Sequence, residues 1–199
     1  MKLLLTGFEP FGQNQTNPTQ HLVETLTARA PYPGVELIAR VLPVEYARAE
    51  QQLRALIHDH RPDVILSLGL AESRAKISLE RVALNLDDAS IPDNGGELRQ
   101  GTHICPDAPN AYFSTLPLEP LKTALENAEI PVHISNHAGA YLCNHVFYIA
   151  RHEVETLGTP CGFVHTPQAK EFAPENENVL PLETLLRGIE ICIQTLSVA

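Results

Sequence analysis

Cys143 lies in the segment SNHAGAYLCNHVFYIARHEV, where a small-residue turn, His137-Ala138-Gly139-Ala140, runs into a helical apolar pattern. The thiol therefore falls on a helix's first turn, where unpaired backbone N–H groups and the helix dipole favour negative charge and draw a thiol toward thiolate. His165 ends the apolar strand CGFVH, and Thr166 and Pro167 stop that strand and leave the imidazole at the rim of a sheet. One strand-helix-strand unit brings the two residues to the same edge, where a neutral imidazole can take the thiol proton. The chemistry would be nucleophilic attack by sulfur. Such a pair needs a third group to hold the ring, and Glu80, a charge interrupting the apolar pattern ISLERVALN, suits that task. Asp87, Asp88 and Asp93 in the following loop compete with it, and Arg74 or Arg81 could instead make Glu80 one half of an ordinary ion pair.

The elements that must position these residues alternate in type. Short apolar runs at Lys2 to Thr6 and Val64 to Leu68, bounded by Gly7 and Gly69, suit buried strands of a parallel sheet. Between them the pattern gives a helix from Thr19 to Ala30, a strand from Val35 to Val41 and a helix from Tyr46 to His60, closed by Pro62. The order β-α-β-α-β makes an α/β fold with a mostly parallel, right-handed sheet. A strand at Ile77 to Leu84 follows, then a long polar loop from Asn85 to Ser114, of a length that usually marks function or a lid. After it come a helix at Leu118 to Glu129, a strand at Val132 to Ser135, the Cys143 helix, a strand at Cys161 to His165 and a last helix at Leu182 to Leu196. In the Cys143 helix, Asn144, Tyr148, Arg151 and Glu155 stack as one solvent-facing stripe, and Cys143 lies opposite with Phe147, Ala150, Val154 and Leu157, facing the sheet.

With 199 residues, 44% of them hydrophobic, the chain is expected to form a single catalytic domain over 1–199. Lys plus Arg is 14 against Asp plus Glu 24, and the net charge of -10 argues against nucleic acid or an anionic membrane as a partner. No secretory signal or membrane span is visible near the start, so a cytoplasmic setting is expected. Cys105, Cys143, Cys161 and Cys192 form no CxxC pair, and free thiols follow. The histidine pairs His58 with His60, and His133 with His137, resemble metal spacings only on paper, since each pair straddles different faces or elements. Taken singly, Cys143 reads as a small buried hydrophobe and His165 as a structural strand-end residue. Phe8 and Phe11, flanking Pro10, read as plugs under a loop.

Together the motifs say more. TGFEPFG followed by NP, then LERVALN, IPDN, SNHAGAYLCNH and GFVHTP, in this order from Thr6 to Pro167, resemble the pyroglutamyl peptidase type I family, also called pyrrolidone-carboxylate peptidases. The resemblance implies a cysteine peptidase that removes an N-terminal pyroglutamyl residue from peptides without metal or cofactor. It also implies an α/β/α sandwich of the phosphorylase/hydrolase-like type and a homo-oligomer, often a homotetramer. The family's catalytic glutamate, cysteine and histidine fall on Glu80, Cys143 and His165, and its ring-stacking aromatics on Phe11 and Tyr141. Phe8, Leu70 and Leu142 join the expected substrate pocket, and Asp93 falls on an acidic position of the IPDN motif that orders the loop. Many members carry Thr where this chain has His137, Arg at Ser90 and Gln at Leu70, departures that touch pocket and loop while sparing the triad. Two alternatives accompany this expectation: a thiol amidase acting on another N-acyl lactam, and a non-catalytic small-ligand-binding module.

Overall fold

A computed structural model describes residues 1–12 and 14–198. Strands β1 (Lys2–Phe8), β2 (Glu36–Leu42), β3 (Val64–Leu70), β4 (Ile77–Leu84), β5 (Ala111–Phe113), β6 (Val132–His137) and β7 (Cys161–Thr166) form one sheet. Helices α1 (Pro18–Arg29), α2 (Tyr46–His60), α3 (Leu118–Asn127), α4 (Leu142–Val154) and α5 (Leu182–Ser197) cover it, and β8 (Gln168–Ala169) and β9 (Val179–Leu180) pair separately. Leu3, Leu4, Leu5, Ile65, Leu66 and Leu68 are all fully buried, so β1 and β3 are covered on both faces. That double coverage is why their sequences read as apolar runs rather than alternating ones.

Two cores flank the sheet. Leu22 and Leu26 of α1, Leu121 and Leu125 of α3, and Leu185 and Ile189 of α5 pack on one face. Leu53 and Ile57 of α2 and Val146 and Phe147 of α4 pack on the other. The result is the expected three-layer α/β/α sandwich. Each such fully buried side chain contributes about 1.5–3 kcal/mol relative to its exposed state.

Strands β2, β1, β3 and β7 run parallel, whereas β4 runs antiparallel to β7 with Ser78 opposite His165 and Glu80 opposite Phe163. Opposed residues, and those two further along, share a face of the sheet. Glu80, Phe163 and His165 therefore all point toward the α4 layer. Along its other edge β4 pairs in parallel with β6, which places Ser135 opposite Glu80.

The helix carrying Cys143 departs from the sequence expectation. Asn144 and Tyr148 are fully buried and Arg151 is 5% exposed, so the stripe assigned to solvent is interior; the helix ends at Val154, and beyond it Glu155 is exposed and so is Leu157, which was expected to face the sheet. The Asn85 to Ser114 segment lies over this face and supplies the acceptors. Tyr148 Oη donates to Pro109 O at 2.6 Å, and Arg151 Nε donates to Phe113 O at 2.8 Å. Asn144 receives Leu84 N–H at 2.8 Å and donates to Leu84 O and Leu86 O, both at 2.9 Å. Polar residues that can bond a covering loop look the same in sequence as residues that face water. Asn144→Ala is expected to destabilise the fold by about 1–3 kcal/mol, measured by urea titration, because it strands buried backbone groups.

The segment after Asn85 is itself more ordered than a plain loop. It contains β5, paired with β4 through Val82 to Leu84, and a bridge between Asp87 and Thr102. Five strands extend past their expected ends, β1 to Phe8, β3 to Leu70 and β6 to His137 by two residues, and β2 to Leu42 and β7 to Thr166 by one, so that Thr166 continues the strand it was expected to stop. Phe8 is thus the last residue of a strand and 3% exposed, not a neighbour of Phe11 in one loop.

Candidate active site

Cys143 is the second residue of α4, after Tyr141, an extended N-cap residue, and a turn in which Gly139 takes φ +84. A left-handed backbone of that kind is where glycine carries no steric cost. The sulfur sits on Gly69 of β3: a Cβ at that position would lie 2.7 Å from Cys143 Sγ and 2.7 Å from Phe163 Cζ. Gly69 is in parallel register with His165. The missing side chain on β3 is therefore what allows the thiol to come down beside the strand that carries the imidazole, and both residues line one cavity.

His165 is 4% exposed, and its Nδ1 lies 2.7 Å from Glu80 Oε1. A carboxylate there accepts the Nδ1 proton, leaving Nε2 as the basic nitrogen. Arg74, in the β3–β4 turn, donates to the same Oε1 at 2.5 Å. Glu80 is fully buried. Burial opposes its ionisation, but the hydrogen bond and charge of His165, with Ser135 and Arg74, outweigh that and hold the carboxyl below its ordinary value. Its other oxygen, Oε2, has no hydrogen-bond partner, while the Ser135 hydroxyl donates to His137 O across a long 3.3 Å.

The competing acids are engaged elsewhere. Asp87 Oδ2 lies 2.9 Å from His145 Nδ1 and 2.9 Å from Arg99 in a buried cluster, and Asp88 receives Gly101 N–H. His145, only two positions from Cys143, belongs to that second cluster and not to the thiol. Arg81 bonds Asn136, so of the two arginines weighed for Glu80 it is Arg74 that pairs.

Burial and the Glu80 charge push the Cys143 thiol up to about 12, against the lowering by Arg74 and by the Cys143 backbone N–H. The helix terminus acts in the expected direction but does not dominate. At rest the sulfur is a neutral thiol, and a thiolate arises when a base removes its proton.

The cavity holds about 260 Å³, just below the ~300–1,000 Å³ typical of small-molecule sites and in keeping with a small ligand group. Phe8, Phe11, Leu70, Tyr141 and Leu142, expected in the pocket, all line it. The Phe11 and Tyr141 rings lie 6.3 Å apart, and burial raises Tyr141 to about 12, so its hydroxyl stays protonated and donates to Pro92 O. Asp93 lies outside this cavity. Its carboxylate receives Tyr46 N–H, at the first residue of α2, and Glu97 N–H, both at 2.8 Å, tying the loop to a helix N-terminus. Ser90 is exposed and also outside the lining.

Val44, Asn17 and Arg74 line the cavity too and were not expected there. Asn17 had a legible signal: its Oδ1 receives Thr19 N–H at 3.0 Å and Pro18 opens α1, the cap-then-proline start that the NP motif encodes. Arg74 carried none beyond its charge. Among the described residues, no group of three or more His, Cys, Asp or Glu side chains is placed to hold a metal ion, and no helix is long and apolar enough to cross a membrane.

The comparisons with known proteins agree with the motifs. A family model described as pyroglutamyl peptidase matches residues 1–198. A pyrrolidone-carboxylate peptidase of Oceanobacillus iheyensis is 44% identical over 196 residues, covering 96% of this chain and 97% of the relative. One from Vibrio vulnificus is 42% identical over 199 residues, covering 98% and 93%. The crystal structure of pyrrolidone carboxyl peptidase from the hyperthermophile Pyrococcus furiosus superposes with a TM-score of 0.93 at 37% identity, covering 98% of this chain and 97% of that one. With sheet, cavity and matches running over nearly the whole length, the chain belongs to the pyroglutamyl peptidase family.

Proposed function

We propose that this chain is a cysteine-type pyroglutamyl peptidase that releases an N-terminal 5-oxoprolyl residue from peptides, with Cys143 as nucleophile, His165 as base and acid, and Glu80 as the group that orients His165. The observation that carries this reading is the buried Glu80–His165 contact behind a cavity lined by His165, Cys143 and the rings of Phe8, Phe11 and Tyr141. The lactam carries no amino charge, so it suits a wall made of Phe8, Phe11, Val44, Tyr141 and Leu142. His165 takes the thiol proton as sulfur attacks the carbonyl joining the lactam to the next residue. The Cys143 N–H, free in the first helical turn, donates to the oxyanion, and the imidazolium formed is stabilised through Nδ1 by Glu80. His165 then protonates the departing amine, and a water that it activates releases pyroglutamate from sulfur.

The reading carries with it a single catalytic domain, a cytoplasmic setting and a homo-oligomer, none of which the chemistry requires. Activity on a different N-acyl lactam and ligand binding without turnover are not favoured by the family membership.

Release of fluorophore from pyroglutamyl-aminomethylcoumarin is the direct test. Turnover is expected from the intact protein, with a loss of at least about 10³-fold in Cys143→Ser, whose hydroxyl the same base cannot activate comparably. No turnover by the intact protein, or equal turnover by the serine variant, would sink the assignment.

A further inference from the structure

The cavity lining combines apolar side chains with the polar side chains of Asn17, Ser73, Arg74 and His137. With the lactam against the aromatic rings and the scissile carbonyl between Cys143 and His165, the residue that follows the lactam is left to the remaining lining, in which His137 and Arg74 are the nitrogen donors of defined geometry. His137 ends β6 and is exposed. Gly139 N–H donates to its Nδ1 at 3.2 Å, so the ring's own proton resides on Nε2, which is left as a donor at the cavity wall. Arg74 is held through one guanidinium nitrogen by Glu80 and is 26% exposed, whereas Glu80 is wholly buried beneath it. A ligand in the cavity meets the cation and not the carboxylate that anchors it. Guanidinium and imidazole N–H donors lining one cavity match a carboxylate.

We propose that His137 and Arg74 form the subsite for the residue following the lactam, and that this subsite favours a carboxylate on that residue. The inference rests on the peptidase reading above and deepens it. Thr at position 137 would have a shorter side chain with a single rotatable hydroxyl, so the preference is expected to depend on the imidazole itself.

The test compares two nearly isosteric substrates in one preparation: pyroglutamyl-glutamate amide and pyroglutamyl-glutamine amide, both with the C-terminal carboxyl blocked. The wild-type ratio of kcat/KM should favour the acid by about fivefold, the scale of a solvent-exposed charge pair. It should fall toward one in His137→Thr, and because it is a ratio, any loss of folded protein cancels. Unblocked pyroglutamyl-glutamine forms a third arm: a gain there comparable to the acid's locates recognition on the chain-terminal carboxylate, while a gain confined to the acid locates it on the side chain. A wild-type ratio near one in both arms, or a ratio that His137→Thr leaves intact, overturns the subsite while the peptidase reading stands. Absence of turnover of all three peptides overturns the peptidase reading itself.

Discussion

Glu80→Gln is expected to lower kcat/KM for pyroglutamyl amides by about 10³–10⁴-fold while making Cys143 alkylate faster, not slower, at a given pH. The two effects have opposite signs because Glu80 acts on two neighbours. On His165 it fixes the tautomer and stabilises the imidazolium, so its loss removes base catalysis. On Cys143 its charge raises the thiol pKa, and Arg74 lowers it. Neutralising Glu80 removes the raising partner and leaves the lowering one. Iodoacetamide rates across pH, followed by mass spectrometry at Cys143, give one readout, and coumarin release gives the other. A parallel fall in both would mean that the thiol depends on Glu80 for its ionisation, and the account above would be wrong. Acid has a related effect on the wild type. Glu80 is held below its ordinary 4.5, so the stability it contributes is complete above that value and is lost as pH falls through the lower folded value.

Gly69→Ala should abolish turnover to at most about 1% of wild type although it adds only a methyl group and removes no functional one. The new carbon would meet Sγ and the Phe163 ring at 2.7 Å, closer than non-bonded heavy atoms tolerate, so either the nucleophile or the ring that packs on His165 must move. A misplacement of about 1 Å costs on the order of 10²-fold in rate. Overpacking of this kind also destabilises by about 1–3 kcal/mol, so a urea midpoint belongs beside the kinetics. A variant with normal kcat and a normal midpoint would show that the sulfur's seat is not the one described.

How far the sequence carries can be judged from particular residues. The helix Tyr46–His60 and the strand Ile77–Leu84 have the bounds expected, because apolar periodicity, Pro62 and the turn at Asn85 punctuate them locally. β5 was invisible for the opposite reason: three residues are too few to show alternation, and they pair with β4 across a long excursion of chain. The site divides in the same way. His165 was legible as a strand-end imidazole and Cys143 as a first-turn thiol, since both are local statements. The choice of Glu80 over Asp87 depended on the β4–β7 register, which no local pattern encodes; in advance it was favoured by the charge interrupting ISLERVALN and then by the motif resemblance. Arg74 was weighed as a rival for Glu80, and the structure makes it a companion of His165 on the same oxygen.

The antiparallel insertion of β4 has a consequence for how the molecule is made. Glu80 and His165 stand 85 positions apart and meet only where β4 lies against β7. Contacts of such long range form after local ones, because the loop entropy must be overcome before they yield anything. Helices can therefore form while the reaction centre is still in pieces, and Glu80, made long before His165, has no imidazole to orient until β7 has been synthesised and docked. Catalytic competence therefore waits on one strand pairing, and a sheet without it holds no oriented imidazole.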